Sequence, residues 1–227
     1  MCNLYNMTRA VEAMRQLFAG LENRAGNLEP GDVYPDRLGA ILTATPQGHA
    51  LHRARWGLPS PQQFHSKSGI DRGVTNIRNP AGPHWRRWLS PNNRCLVPFD
   101  RFAEPNAGKG AGSSWFAPAD GRPAFFAGIW VPEWRSLRKL KDGETTDDLF
   151  AFLTTEPNIE VERVHPKAMP VILTEPADWE AWLSLQWSEA RVLQRPLPNG
   201  SLVATFPTDA VSDSSYADLF GNTCTPW

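Results

Sequence analysis

The apolar positions along this chain fall into short runs, most of them alternating or continuous over four to eight residues, the signature of strands rather than of long helices. Gly39-Ala-Ile-Leu-Thr-Ala-Thr45 and Ala50 to Trp56 read as two strands around a Pro-Gln-Gly turn. Arg94-Cys-Leu-Val-Pro-Phe99 reads as a buried strand ending near a proline, and Ser114–Ala117, Ala124–Trp130 and Leu149–Thr154 as three aromatic strands divided by Gly/Pro/Asp turns. Cys2–Tyr5 alternates and predicts a short first strand; Val171–Leu173 and Leu202–Phe206 predict two late ones. Helical spacing is confined to the periphery. Thr8 heads an i, i+3, i+4 stripe through Val11, Met14, Leu17 and Phe18 that stops at Gly20, Ile159–Val164 has room for a turn or two, and Ala177–Leu183 and Glu189–Gln194 predict two further helices. Residues 21–38 and 57–81 are polar and turn-rich. The pattern predicts an α+β chain of one compact, mainly β domain over residues 1–227 with helices at its edges.

Bulk composition narrows the class without naming an activity. The 227 residues are 41% hydrophobic and 21% charged, as in an ordinary globular protein able to bury a full core. No apolar run approaches the roughly 18 residues that cross a bilayer, and the start, MCNLYNMTRA, has no charged segment followed by an apolar one. No membrane partner and a cytoplasmic location are expected. Three cysteines, Cys2, Cys95 and Cys224, are odd in number and share no metal-ligand spacing, so free thiols and no metal or cofactor are expected. The net charge of −1 conceals a basic stretch from Arg53 to Arg101, opposed there only by Asp71 and Asp100, which can form a local phosphate-holding face or be balanced elsewhere in three dimensions.

Candidate chemistry begins at Met1-Cys2. Removal of the initiator methionine exposes a 1,2-aminothiol whose amine (pKa about 7.7–8.0) and thiol (about 8.5) both have a reactive fraction at neutral pH. Such a pair condenses with an aldehyde to a five-membered thiazolidine. Asn76 and Arg78 share one face of the strand-like run Val74–Arg78, Glu104 follows Phe102-Ala103 after the Cys95–Phe99 strand, and His165 lies between a helical turn and a strand. Each also has a structural reading: a turn cap for Asn76, an arginine partner for Glu104, a half-buried hydrogen-bonded ring for His165. Of the ten tryptophans most sit in strand-like runs as core, whereas Trp85 and Trp88, flanking Arg86 and Arg87, are the surface candidates for stacking on bases.

Taken in order, Met1-Cys2, Trp56-Gly57-Leu58, Asn76-Ile-Arg78, Arg94-Cys-Leu-Val-Pro98, Phe126-Ala-Gly-Ile-Trp130 and Met169-Pro-Val-Ile-Leu173 make the chain resemble the SOS response-associated peptidase (SRAP) family, whose members recognise abasic sites in single-stranded DNA. The resemblance runs from Met1 to about Leu173. It implies a barrel-like, mainly β fold with a basic cleft, acting as a monomer and joining the nucleoid when bound to DNA. It also implies that Cys2, freed of Met1, attacks the ring-opened sugar aldehyde to form a thiazolidine crosslink, with autoproteolytic processing and abasic-site lyase activity alongside. By position Asn76 orients the amine, Glu104 is the acid/base, His165 assists proton transfer, Arg78 holds a phosphate, and Lys167 stands where the family has an arginine. Asn3-Leu4, Asn79-Pro80, Pro105 and the extra residue in His165-Pro-Lys-Ala-Met-Pro depart from the family pattern, which bears on DNA grip more than on chemistry. Two alternatives remain open from the residues: an N-terminal-nucleophile cysteine amidohydrolase in which Asn76 is an oxyanion donor, and a non-enzymatic nucleic-acid-binding module with a structural Cys2.

Overall fold

Strands whose residues are apolar on both faces need cover on both sides, and this chain supplies it by closing one sheet on itself and laying a second across it. The computed structural model describes residues 2–8, 10–108 and 111–207, with 10–13 described through their backbone alone. The first seven strands are β1 (Leu4–Met7), β2 (Glu22–Asn23), β3 (Gly31–Val33), β4 (Leu38–Thr45), β5 (Gly48–Trp56), β6 (Asn76–Ile77) and β7 (Arg94–Phe99). The rest are β8 (Arg101–Pro105), β9 (Ser113–Pro118), β10 (Ala124–Lys139), β11 (Gly143–Thr155), β12 (Met169–Pro170), β13 (Ile172–Leu173) and β14 (Leu202–Thr205). The helices are α1 (Ala10–Leu17), α2 (Ile159–Glu162), α3 (Pro176–Ser184) and α4 (Trp187–Ala190).

The barrel runs β11-β10-β7-β4-β5 and closes because β5 pairs with β11 in parallel, Arg55 opposite Leu149 and Trp56 opposite Phe150. The second sheet runs β14-β9-β8-β1-β3. Aromatic rings join the two: Tyr5 on β1 meets Trp56 edge-on at 5.2 Å and Phe126 at 5.7 Å, and Phe102 on β8 meets Phe126 edge-on at 5.9 Å. Such pairs contribute about 0.5–1.5 kcal/mol each beyond the area they bury. The helices stay outside. Trp182 of α3 is fully buried, its indole N–H shared between the Cys95 and Gly128 carbonyls at 3.1 Å, which fixes the helix across β7 and β10.

The mainly β fold with peripheral helices is as the pattern predicts, and β7 spans Arg94–Phe99 as read. Several boundaries differ; β11, for one, begins at Gly143 and not at Leu149, and α4 spans Trp187–Ala190. β10 continues nine residues past Trp130 because a bulge between Val131 and Trp134, with Glu133 at φ 49°, interrupts the alternation and restarts it one step out of phase. β1 begins at Leu4, so Cys2 stands just before the strand and not in it. β6 ends at Ile77, and the alternation does not reach Arg78. The reading of residues 207–227 lies outside the described residues beyond Pro207, as do Cys224 and the start at Met1.

The long loop between β5 and β6 is ordered by buried charge. Arg138 donates to the Gly57 carbonyl at 2.6 Å and to Ser136 Oγ at 3.1 Å, and the Asp71 carboxylate accepts from the Gly73 amide at 2.8 Å and from the Ser60 hydroxyl. Leu58 and Val74 then pair as an isolated bridge, which delivers Thr75 and Asn76 to the barrel edge, where Asn76 lies in register with Phe152 of β11.

Candidate active site

Cys2 sits two residues ahead of β1, 1% exposed. Its carbonyl accepts from Asn76 Nδ2 at 2.8 Å, across 74 residues of sequence, and its thiol donates to the Leu4 carbonyl at 3.4 Å. Asn76 also donates from Nδ2 to Thr75 Oγ1 at 2.9 Å, and its Oδ1 is buried with no hydrogen-bond partner among the described residues. Antiparallel pairing of β1 with β8 puts Leu4 opposite Ala103, which brings Glu104 to the same end of the strand pair as Cys2. The Glu104 side chain is fully buried.

Electrostatics tie these groups together. Burial lifts the Glu104 carboxyl to about 7, and the positive charge of the chain's amino terminus draws it part of the way back. Burial, and after it the Glu104 charge, pushes the Cys2 thiol well above its usual range, so it stays protonated at neutral pH. His165 is shifted down by burial first, then by the amino terminus, with Lys167 adding a little, so its ring is neutral. Its Nδ1 lies 3.0 Å from the Ala168 carbonyl oxygen and 3.2 Å from the Ala168 amide nitrogen. The same amino-terminal charge therefore acts on Glu104 and on His165, and the hydrogen bond from Asn76 reaches the neighbouring residue. Cys2, Asn76, Glu104 and His165, from four distant segments, gather at one place.

The residues expected to grip DNA are more scattered. Arg78 is exposed and paired with Glu156 Oε1 at 2.6 Å, an acid the sequence reading did not single out. Gln194 ties the two strands beneath, donating to the Arg78 and Thr154 carbonyls at 3.0 and 2.9 Å. Lys167 is exposed near His165. Trp88 is only 6% exposed and packs edge-on against Trp134 at 5.8 Å, so it covers core and presents no open face to a base. Trp85 is half-buried beside it, Arg87 lies 4.0 Å over the Trp88 ring, and Arg86 donates to the Ala81 carbonyl at 2.8 Å. The basic stretch from Arg53 to Arg101 does not make one face: Arg94 is fully buried and donates to the Leu185 carbonyl, and Arg55 bridges Asp36 and Asp147 at 3.1 and 3.3 Å. Charge counted along a sequence does not say on which side of a strand each residue falls. A cavity of about 700 Å³ is lined by Met7, Met14, Phe99 and Phe125 at the far end of β1, and none of the four gathered residues lines it.

A family model described as SOS response associated peptidase (SRAP) matches residues 1–213. The chain belongs to this family. Among solved structures, the SRAP chain is similar to a protein from Bordetella bronchiseptica at a TM-score of 0.71 and 24% identity, covering 90% of this chain and 99% of that one. A protein from Bacteroides thetaiotaomicron is similar at 0.69 and 23%, covering 94% and 95%, and a phage-related protein from Bordetella bronchiseptica at 0.62 and 19%, covering 90% and 93%. At these identities the likeness is one of fold. No curated protein matches the chain. Membership associates this SRAP protein with the SOS response to DNA damage.

The burial of Glu104 has a stability consequence. An ordinary glutamate ionises near 4.5, and in the folded state this one holds its proton to about 7. Between those values the unfolded chain ionises and the native one does not. Stability from this group is therefore intact below about pH 4.5, falls as pH rises towards 7, and above that is lower by a constant amount, on the order of 3 kcal/mol at 1.36 kcal/mol per pH unit. Glu104→Gln removes the penalty. Denaturant titrations of both proteins from pH 4 to 8 should diverge, the variant gaining relative stability towards pH 8. Parallel curves would mean that Glu104 is not held neutral.

Proposed function

We propose that this SRAP protein binds single-stranded DNA at abasic sites and joins them covalently through Cys2 once Met1 has been removed. The observation that carries the reading is the convergence on Cys2: an amide 2.8 Å from its carbonyl and a buried carboxyl whose charge acts on its thiol. Removal of Met1 moves the α-amine onto Cys2 itself. The amine attacks the aldehyde carbon of the ring-opened sugar to give a carbinolamine. Glu104, as acid, gives a proton to the departing hydroxyl, and water leaves with formation of the imine. The Cys2 sulfur then adds to the imine carbon while its proton passes by way of Glu104 to the nitrogen, closing the thiazolidine. One aldehyde and one aminothiol yield one ring and one water.

A carboxyl poised near 7 suits both halves of this sequence, since it can donate and accept at neutral pH. The thiol, held protonated by burial, needs such a base. Asn76 Oδ1 supplies an acceptor for the new α-amine, and neutral His165 assists proton transfer at the sugar. The amidohydrolase alternative needs Asn76 as an oxyanion donor. Both protons of its Nδ2 are already engaged, by Cys2 and Thr75, which favours the positioning role instead. A lyase step follows from the same imine, and autoprocessing is part of the same proposal. In gripping the strand, Arg78 exchanges Glu156 for a phosphate.

Cys2→Ala should abolish a complex with abasic single-stranded DNA that survives boiling in detergent. Glu104→Gln should slow its formation at saturating DNA by roughly a hundredfold with non-covalent affinity close to wild type. Single-turnover gels and binding to an uncleavable abasic analogue test both. A Cys2→Ala protein that still crosslinks, or a Glu104→Gln protein at the wild-type rate, contradicts the assignment.

Grip is tested at the ion pair. Arg78→Ala should weaken initial binding alike for all sequences and reduce the log–log salt slope by about one unit or slightly less. Glu156→Gln, which frees Arg78, should tighten binding by about 1.5- to 5-fold, the range expected for loss of an exposed ion pair. Base-specific losses, or tighter binding by Glu156→Gln that persists on an Arg78→Ala background, would reject the exchange.

A further inference from the structure

Thr75, the residue ahead of Asn76, is tied at both its backbone and its side chain. Its carbonyl accepts from the Trp56 indole N–H at 3.1 Å and from the Phe152 amide at 3.4 Å, which fixes its backbone to β5 and β11. Those two partners are themselves packed together, Trp56 stacking on Phe152 at 5.1 Å, both buried. The Thr75 side chain faces the other way along the chain of contacts, its Oγ1 accepting from Asn76 Nδ2 at 2.9 Å. A β-branched side chain is restricted at χ1, so the hydroxyl stays where this backbone puts it.

An amide side chain carries two N–H donors on its nitrogen and an acceptor on its oxygen. The Cys2 carbonyl, 2.8 Å from Asn76 Nδ2, can only accept, and so selects the nitrogen end of the amide. One such bond leaves the amide free to swing about it. The second bond, to Thr75, starts from the same nitrogen in a different direction, and two diverging bonds fix the plane of the group. The direction of Oδ1 is then fixed as well. That oxygen is buried and has no hydrogen-bond partner among the described residues.

We propose that Thr75 is a positioning residue, clamping the Asn76 amide so that Oδ1 is held for the α-amine of Cys2. It acts through Asn76, and the inference rests on the reading of Asn76 as the acceptor for that amine. An amine whose acceptor swings is aimed less well at the aldehyde carbon, and misplaced reactants cost rate more than binding.

Thr75→Val keeps the shape of the side chain and removes the acceptor. The crosslinking rate at saturating abasic single-stranded DNA should fall by about 2- to 13-fold, the worth of one ordinary hydrogen bond, with affinity for an uncleavable abasic analogue unchanged. Thr75→Ser, which keeps the hydroxyl, should restore the rate. On an Asn76→Ala background Thr75→Val should slow nothing further, because the residue it acts through is gone. A wild-type rate in Thr75→Val, a Thr75→Ser protein as slow as Thr75→Val, or a further loss on the Asn76→Ala background would each overturn the clamp. Thr75→Ala takes the place of Thr75→Val if that variant does not fold.

The clamp can also be read without DNA. In protein labelled with nitrogen-15 at asparagine, NMR follows the exchange of the Asn76 side-chain protons with solvent, Asn76→Ala assigning the signal. Thr75→Val should lose protection at one of the two protons, and Thr75→Ser should keep both. Unchanged protection in Thr75→Val overturns the clamp whatever the rates do. If wild-type protein makes no crosslink but protection follows this pattern, the clamp on the amide stands and the crosslinking reading fails; crosslinking with unmoved protection removes the clamp alone.

Discussion

A carboxyl group buried to zero exposure within the reach of a cysteine thiol is the constraint on which the rest of this molecule depends. Water solvates a carboxylate far better than a protein interior does, so a glutamate stays in such a place only where the surrounding structure holds it. Here the holding is done by strand pairing. β8 is fixed between β1 and β9, and the stack of Phe102 on Phe116 anchors the face on which Glu104 lies. The register of β1 against β8 then brings Cys2, two residues ahead of the first strand, to the end of the strand pair where that carboxyl lies. Tyr5, three residues on, plugs β1 into the barrel through Trp56 and Phe126 and removes the freedom of the chain end.

Asn76 enters from a different direction, and its arrival depends on charge as well as on packing. The loop ahead of it would be free to move were it not held by Arg138 on the Gly57 carbonyl and by Asp71 on Gly73 and Ser60. Those hydrogen bonds involve ionised groups and are among the stronger kind. The loop ends in a parallel pairing with β11, the strand that also closes the barrel. Closure of the barrel and placement of the amide on the Cys2 carbonyl are thus consequences of the same strand.

Much of this was legible in the sequence, for reasons that differ by element. β7 could be read residue for residue because all six of its residues are buried, giving an unbroken run between turn signals. The outer half of β10 could not, since the bulge at Val131–Trp134 breaks the period on which the reading rests. β8 was passed over because Arg101–Pro105 is short and ends on a proline, although its fourth residue proves to be the buried glutamate. Cys2, Asn76, Glu104 and His165 were nominated by their order along the chain, and the fold brings them together. Glu156 was not, because its part follows from a contact with Arg78 across 78 residues. Trp88 was offered as a surface candidate for a related reason: a linear stretch of cations and rings does not reveal which of them turn inward.

The central claim is that one carbon of the damaged sugar becomes bonded to both nitrogen and sulfur of residue 2. The direct measurement is the mass of the nuclease-trimmed adduct, with fragmentation to locate it. The expected product is a chain lacking Met1, carrying the sugar remnant less one water on Cys2, with no free thiol there and no change on treatment with borohydride. An adduct on a chain that retains Met1, an adduct on another residue, or one that borohydride reduces as an open imine would contradict the account.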